Sequence, residues 1–154
     1  MLPSIMTSVS RLTTLAEDEH PILIVGSERR KLLAIAREIH ARSSKCRGPF
    51  VIHRCGLPFW RRPTESGELT RLCARIFRQS SGGTLYFEGV NQLSVEEHHQ
   101  LYMALERKEF WDPESGILRP VDYRIVASAP AEILKLNNAT NLVYRLAEIV
   151  ISLD

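Results

Sequence analysis

Apolar positions along this chain switch between two periods. The run Pro21-Ile22-Leu23-Ile24-Val25 is short, β-branched and closed by Gly26, the pattern of a strand covered on both faces. Behind it Leu32, Leu33, Ala36 and Ile39 recur at helical spacing from about Arg29 to Arg42, leaving Arg29, Arg30, Arg37 and Arg42 for solvent. Gly48-Pro49 interrupts, and Phe50-Val51-Ile52 starts a second strand. Thr64 to Gln79 reads as a helix through Leu69, Leu72, Cys73, Ile76 and Phe77, stopped by Ser81-Gly82-Gly83.

Thr84-Leu85-Tyr86-Phe87 is a third strand, and Ser94-Val95-Glu96-Glu97 is a capping-box pattern that opens a helix through Leu101, Tyr102 and Leu105. The turn-rich Asp112-Pro113-Glu114-Ser115-Gly116 leads to a fourth strand, Tyr123-Arg124-Ile125-Val126-Ala127. A fifth comes near Glu148-Ile149-Val150-Ile151-Ser152, and an N-terminal helix is expected at about 4–17. Strands alternating with helices imply right-handed crossovers: an α/β three-layer sandwich around a mostly parallel five-stranded sheet. With no internal repeat and no interdomain linker, residues 1–154 read as a single domain.

At 154 residues, 44% hydrophobic and 25% charged, the chain needs neither disulfide nor metal to bury a core. No apolar run reaches the ~18 residues that cross a bilayer, and the first twenty residues lack the basic start of a signal peptide. Cys46, Cys55 and Cys73 match no zinc or redox spacing, so a reducing cytoplasm is expected. The net charge of +2 conceals an imbalance: Arg29 to Arg78 holds thirteen Lys/Arg against three acids, and the remainder carries −8. An anionic partner such as nucleic acid is one reading, and a solvated surface balanced by the acidic remainder is the other. Aromatic interleaving and a helix-turn-helix, the usual companions of the first reading, are missing.

Strand, Gly26, helix, and later Gly-Gly-strand-acid is the order of a P-loop nucleotide-binding domain. The local residues go further. Ile22-Leu23-Ile24-Val25-Gly26, Ala36-Arg37-Glu38-Ile39-His40, Gly48-Pro49-Phe50-Val51 with Cys55, Gly82-Gly83-Thr84-Leu85-Tyr86-Phe87, Arg124-Ile125-Val126-Ala127 and Tyr144-Arg145-Leu146 stand in one order from about Met6 to Leu153. In this the chain resembles the AAA+ domain of bacterial enhancer-binding proteins, the ATPases that activate sigma-54 RNA polymerase. The resemblance implies a five-stranded core whose relatives form rings, hydrolyse ATP between neighbours and remodel the polymerase.

The same resemblance shows what this copy has lost. A phosphate cradle needs glycines, a lysine for the β/γ-phosphates and a hydroxyl or acid beyond it. Aligned without a gap, the family's later glycines fall on Arg29 and Lys31 and its lysine on Leu32, within Gly26-Ser27-Glu28-Arg29-Arg30-Lys31-Leu32-Leu33. The family's magnesium Asp and water-orienting Glu correspond to Glu88 and Gly89, and its sensing asparagine to Pro130. Of two arginines that reach a neighbour's nucleotide, one aligns with Ala139 and the other is Arg145. The sigma-contacting loop has no room between Cys55 and Gly82, and the chain ends at Asp154, where the helical lid is expected to start.

These losses point to a degenerate, non-catalytic module acting through a protein partner, either an AAA+ relative or a second copy. No cofactor is expected, with ATP and magnesium at a minimal Lys31, Glu88 and Arg145 set as the alternative. A solvent-facing role is the simpler reading for Lys31, and a salt bridge is an even alternative to an interface role for Arg145. His53, Cys55, His98 and His99 lack metal-ligand spacing. Trp60 and Trp111 lie in polar, turn-rich surroundings, which suits an interface anchor or edge-of-core packing.

Overall fold

A computed structural model describes residues 5–6, 20–56, 68–135 and 141–153. Eight strands and four helices are placed in them. In chain order they are β1 (Ile5–Met6), β2 (Ile22–Val25), α1 (Arg29–Arg42), β3 (Phe50–Arg54), α2 (Glu68–Gln79) and β4 (Thr84–Glu88). Then come α3 (Val95–Arg107), β5 (Glu109–Asp112), β6 (Ile117–Pro120), β7 (Arg124–Ala129), α4 (Asn141–Leu146) and β8 (Ile149–Ser152). No described helix is long and apolar enough to cross a membrane.

Six strands form one parallel sheet in the order β1-β8-β2-β7-β4-β3. The alternation along β2 shows how it is covered on both sides. Ile22 and Ile24 meet Leu32, Ala36 and Ile39 of α1, while Leu23 and Val25 belong to the cluster that includes Cys73 and Phe77 of α2 and Leu101 of α3. All four β2 side chains are at most 1% exposed. Burial of this kind contributes about 1.5–3 kcal/mol per aliphatic side chain, so the centre of the sheet is its most strongly held part. Helix α3 starts as its sequence demands: Ser94 Oγ accepts from the Glu97 N–H at 3.2 Å, and Glu97 Oε1 accepts from the Ser94 N–H at 3.0 Å.

The five expected strands are present, and two features differ from expectation. Ile5–Met6 is a sixth strand beside β8 (Ile5 opposite Val150) where a helix over about 4–17 was expected; positions 4 and 7–17 lie outside the described residues. The outer edge of β8 offers unpaired backbone groups that a short apolar segment can satisfy. The second difference is the antiparallel hairpin β5–β6 around the predicted turn, with Trp111 opposite Leu118 and Asp112 opposite Ile117.

The hairpin is fastened by one buried carboxylate. Asp112 Oδ1 accepts from Arg78 at 2.6 Å and from the Glu114 N–H at 3.1 Å; its Oδ2 accepts from Arg119 at 2.7 Å and from Ser115 Oγ at 2.9 Å. Burial alone would raise this carboxyl, but the donors from Arg119, Arg78, Ser115 and the Glu114 backbone together hold it well below the ordinary carboxylate range. Where Gly83 passes Gly48-Pro49 the backbones nearly touch. A Cβ at Gly83 would stand 1.9 Å from the Pro49 carbonyl oxygen, so only glycine fits.

Candidate functional site

The carboxyl ends of β2, β4 and β7 open onto a cleft of about 360 Å³, where ligands bind in open α/β sheets. Gly26, Ser27, Arg29, Leu32, Glu88 and Pro130 are among its lining residues. Strand β2 ends at Val25 and α1 begins at Arg29, so only Gly26, Ser27 and Glu28 connect them. Gly26 is buried, and its N–H donates to the Ala129 carbonyl at 3.2 Å. Glu28 is the N-cap in extended conformation, and its carbonyl accepts from the Lys31 and Leu32 N–H groups at 3.0 and 3.1 Å. The segment where the cradle's glycines would stand is thus an ordinary first helical turn. Arg29 and Arg30 lie within α1, and Lys108 is the only described non-glycine residue with positive φ.

The predicted site residues separate in space. Gly26, Leu32 and Glu88 meet in the cleft. Lys31 is not among its lining residues: its ammonium pairs with Glu28 at 3.1 Å, both side chains being more than 60% exposed. Leu32, where the family's lysine was expected to align, is 6% exposed and packs on Ile22, Ile24 and Tyr86. Arg145 lies at the other end of the sheet, lining a cavity of about 560 Å³ with Pro21 and Arg124, and it pairs with Glu106 at 2.9 Å and with Glu148. Ala139 falls outside the described residues.

Glu88 carries the feature that the sequence did not disclose. Its carboxylate, 12% exposed, is paired with the Arg29 guanidinium and stands 3.9 Å from Arg54 Nε. A side chain from the first turn of α1 therefore reaches across the cleft and neutralises the one acid retained at the end of β4. Beyond it Gly89 has φ +79° and ψ +53°, and its N–H donates to the Ser128 carbonyl at 3.0 Å. That conformation suits glycine and costs other residues roughly 1–2 kcal/mol. Gly89, where the resemblance led one to expect the water-orienting acid, thus has a backbone suited to glycine.

A magnesium-bound triphosphate would need donors from an open loop, a lysine and a free carboxylate. The cleft offers a helical turn, a leucine and a carboxylate clasped by arginine, and Pro130 has no N–H to give. These residues do not fit that group.

Other candidates resolve as packing. His53 is 4% exposed with its ring edge-on to Phe87 at 5.7 Å, and burial pushes its pKa down to about 4. Burial likewise raises the Cys55 thiol and pushes that of Cys73 up to about 12, so neither is a ready nucleophile. Among the described residues no three His, Cys, Asp or Glu side chains are grouped to hold a metal. Trp111 is 49% exposed on the hairpin, while Trp60 lies outside the described residues. The basic stretch from Arg29 to Arg78 is not one face. Helices α1 and α2 pack on opposite sides of the sheet, and Arg29, Arg42 and Arg78 are already ion-paired.

Comparison with known proteins agrees with this architecture. A family described as Sigma-54 interaction domain matches residues 71–152. The Sigma54-dependent transcriptional activator SfnR of Pseudomonas putida is 27% identical over 165 residues, covering 98% of this chain and 45% of that protein. The Nif-specific regulatory protein of Rhodobacter capsulatus is 27% identical over 135 residues, 82% of this chain and 23% of that one. The chain thus spans less than half the length of the curated relatives it matches. Among solved structures, NtrX from Brucella abortus in complex with ATP superposes with a TM-score of 0.74 at 22% identity, over 94% of this chain and 35% of that one. The P-loop NTPase domain of the Sigma-54 transport activator from E. coli gives 0.66 at 17% identity, over 94% and 99%.

Proposed function

This chain belongs to the sigma-54 interaction domain family, and from that premise we propose that it is a non-catalytic member that acts in transcription regulation by binding another protein. The observation that carries this reading is the Arg29–Glu88 pair across the cleft. A scaffold with every central strand in place has spent its one remaining cleft carboxylate on its own arginine. Packing requires the sheet and helices and so retains them, whereas nothing in packing requires a phosphate cradle. The natural partner class is an AAA+ relative, or a second copy, whose interface such a fold would match; no membrane is involved.

Titration with a fluorescent ATP analogue and magnesium tests the first half. No saturable binding is expected, for the chain as it stands or for Lys31→Ala. Micromolar binding that disappears in Lys31→Ala would overturn the proposal in favour of a weak ATPase, the reading that Glu88 keeps alive by retaining a carboxylate at the end of β4. Co-purification with a sigma-54 activator from the same cell is the expected outcome for the second half. A nucleic-acid role is disfavoured because the basic stretch is divided between two faces. Salt-sensitive binding to duplex DNA would reinstate it.

A further inference from the structure

We propose that the groove between α2, α3 and the β5–β6 hairpin docks an amphipathic helix with acidic flanks, presented by another protein. The groove, of about 260 Å³, has a floor of Cys73, Phe77 and Phe110 and an outer wall of Trp111 and Leu118. These last two stand directly opposite each other across the hairpin and are 49% and 55% exposed. Among the described residues four large hydrophobics are exposed, and two of them, Trp111 and Leu118, share this one face of the hairpin. Apolar exposure concentrated in this way marks a contact surface, whereas isolated exposed residues do not.

Three properties select the occupant. Two neighbouring helices and a hairpin form a trough of the kind that accepts the apolar face of a third helix, and Met103 in its lining adapts to varied side chains. Strand addition is disfavoured, because β6 has only four residues and ends on Pro120, which has no N–H. Charge sets the flanks. Arg107 and His99 line the α3 side, Arg71 and Arg75 are exposed on α2, and Glu109 is the one acid in the lining. Arg107 is in no ion pair among the described residues, which leaves it available to a carboxylate. The wall is also preformed, since Asp112 ties the hairpin to Arg78 of α2, so little ordering cost falls on binding. The groove is remote from the cleft, and this proposal stands whether or not the cleft takes up a nucleotide.

The test uses the full chain and a labelled helix-forming peptide with leucines at i, i+3, i+4 and i+7 and glutamates flanking them, beside a twin with lysine for glutamate. Fluorescence anisotropy is expected to show saturable binding of the glutamate peptide, roughly tenfold tighter than its twin. Leu118→Asp, at a half-exposed position that leaves the fold and its circular dichroism intact, weakens it roughly tenfold or more. Arg107→Glu reverses the preference between the peptides, and Arg29→Ala changes nothing. The proposal is overturned by absence of saturable binding, by equal binding of the twins, or by indifference to Leu118→Asp. It is also overturned if sedimentation shows a dimer that Leu118→Asp dissociates, because the face then belongs to a second copy.

Discussion

Two carboxylates in this molecule each stand between two arginines, and they do opposite things. Glu88 meets Arg29 and Arg54 at the mouth of the cleft, where the arginine side chains are 57% and 49% exposed. Asp112 meets Arg78 and Arg119 with its own side chain 1% exposed and two further donors, Ser115 Oγ and the Glu114 N–H, completing its lone pairs. Equal charge counts do not make equal interactions. Solvent screens the first set, so it contributes little to stability and matters by occupying a place. In the second the carboxylate itself is sealed from water with its hydrogen bonds satisfied, and removing an arginine leaves that buried charge less compensated.

The largest effect is therefore expected at Asp112. Asp112→Ala removes the buried acceptor that Arg78 and Arg119 share, leaving Arg78 only the exposed Glu114, and so loosens the hairpin on α2. Thermal denaturation followed by circular dichroism should show a fall in melting temperature several times that of Glu88→Ala, with a change in tryptophan emission from Trp111. Asp112→Asn keeps part of the hydrogen bonding and should fall between them. Because the folded-state pKa is depressed, this contribution is present above the ordinary carboxylate pKa and is lost as pH falls below it towards the folded value. Equal losses at Asp112 and Glu88 would dissolve the contrast.

A middle-sized effect is expected at His53, on the strand that also carries Arg54. Burial brings its pKa down to about 4. The unfolded chain takes up a proton below about pH 6.5 and the folded chain only near 4, so stability falls as pH drops through that window, by at most about 3 kcal/mol. Urea denaturation at about pH 7 and about pH 4.5 measures the dependence of stability on pH, and His53→Phe should flatten it. An unchanged slope would assign the acid sensitivity to carboxylates instead.

What the sequence disclosed and what it hid divide along similar lines. The five central strands were legible because each is a run of apolar or β-branched residues between turn signals, and the Ser94–Glu97 cap because its pattern is local. The hairpin was missed because Asp112 reads as a turn residue. Its burial depends on Arg78, in another helix, and on Arg119 across the hairpin, and four-residue strands leave little alternation to detect. Strand β1 is shorter still, two residues whose conformation is set by the edge of β8. At the cleft, the single glycine between Gly26 and Leu32 was plain in the sequence. The Arg29–Glu88 clasp was not, since nothing in either segment alone says that they meet.

The smallest effect is expected where the function is decided. Glu88→Gln removes the charge and keeps the side chain's size, and Arg29→Ala removes the arm that crosses the cleft. For a pair open to solvent on one side, each should change stability by no more than about 1 kcal/mol. Neither is expected to create nucleotide binding, because emptying the cleft of its ion pair leaves the buried Leu32 and a right-handed helical turn at the start of α1. Isothermal titration of both variants with ATP and magnesium checks this. If Arg29→Ala alone conferred binding, Arg29 would be a removable plug in a working site, and the cleft would be a gated one whose key is whatever draws that arginine away from Glu88.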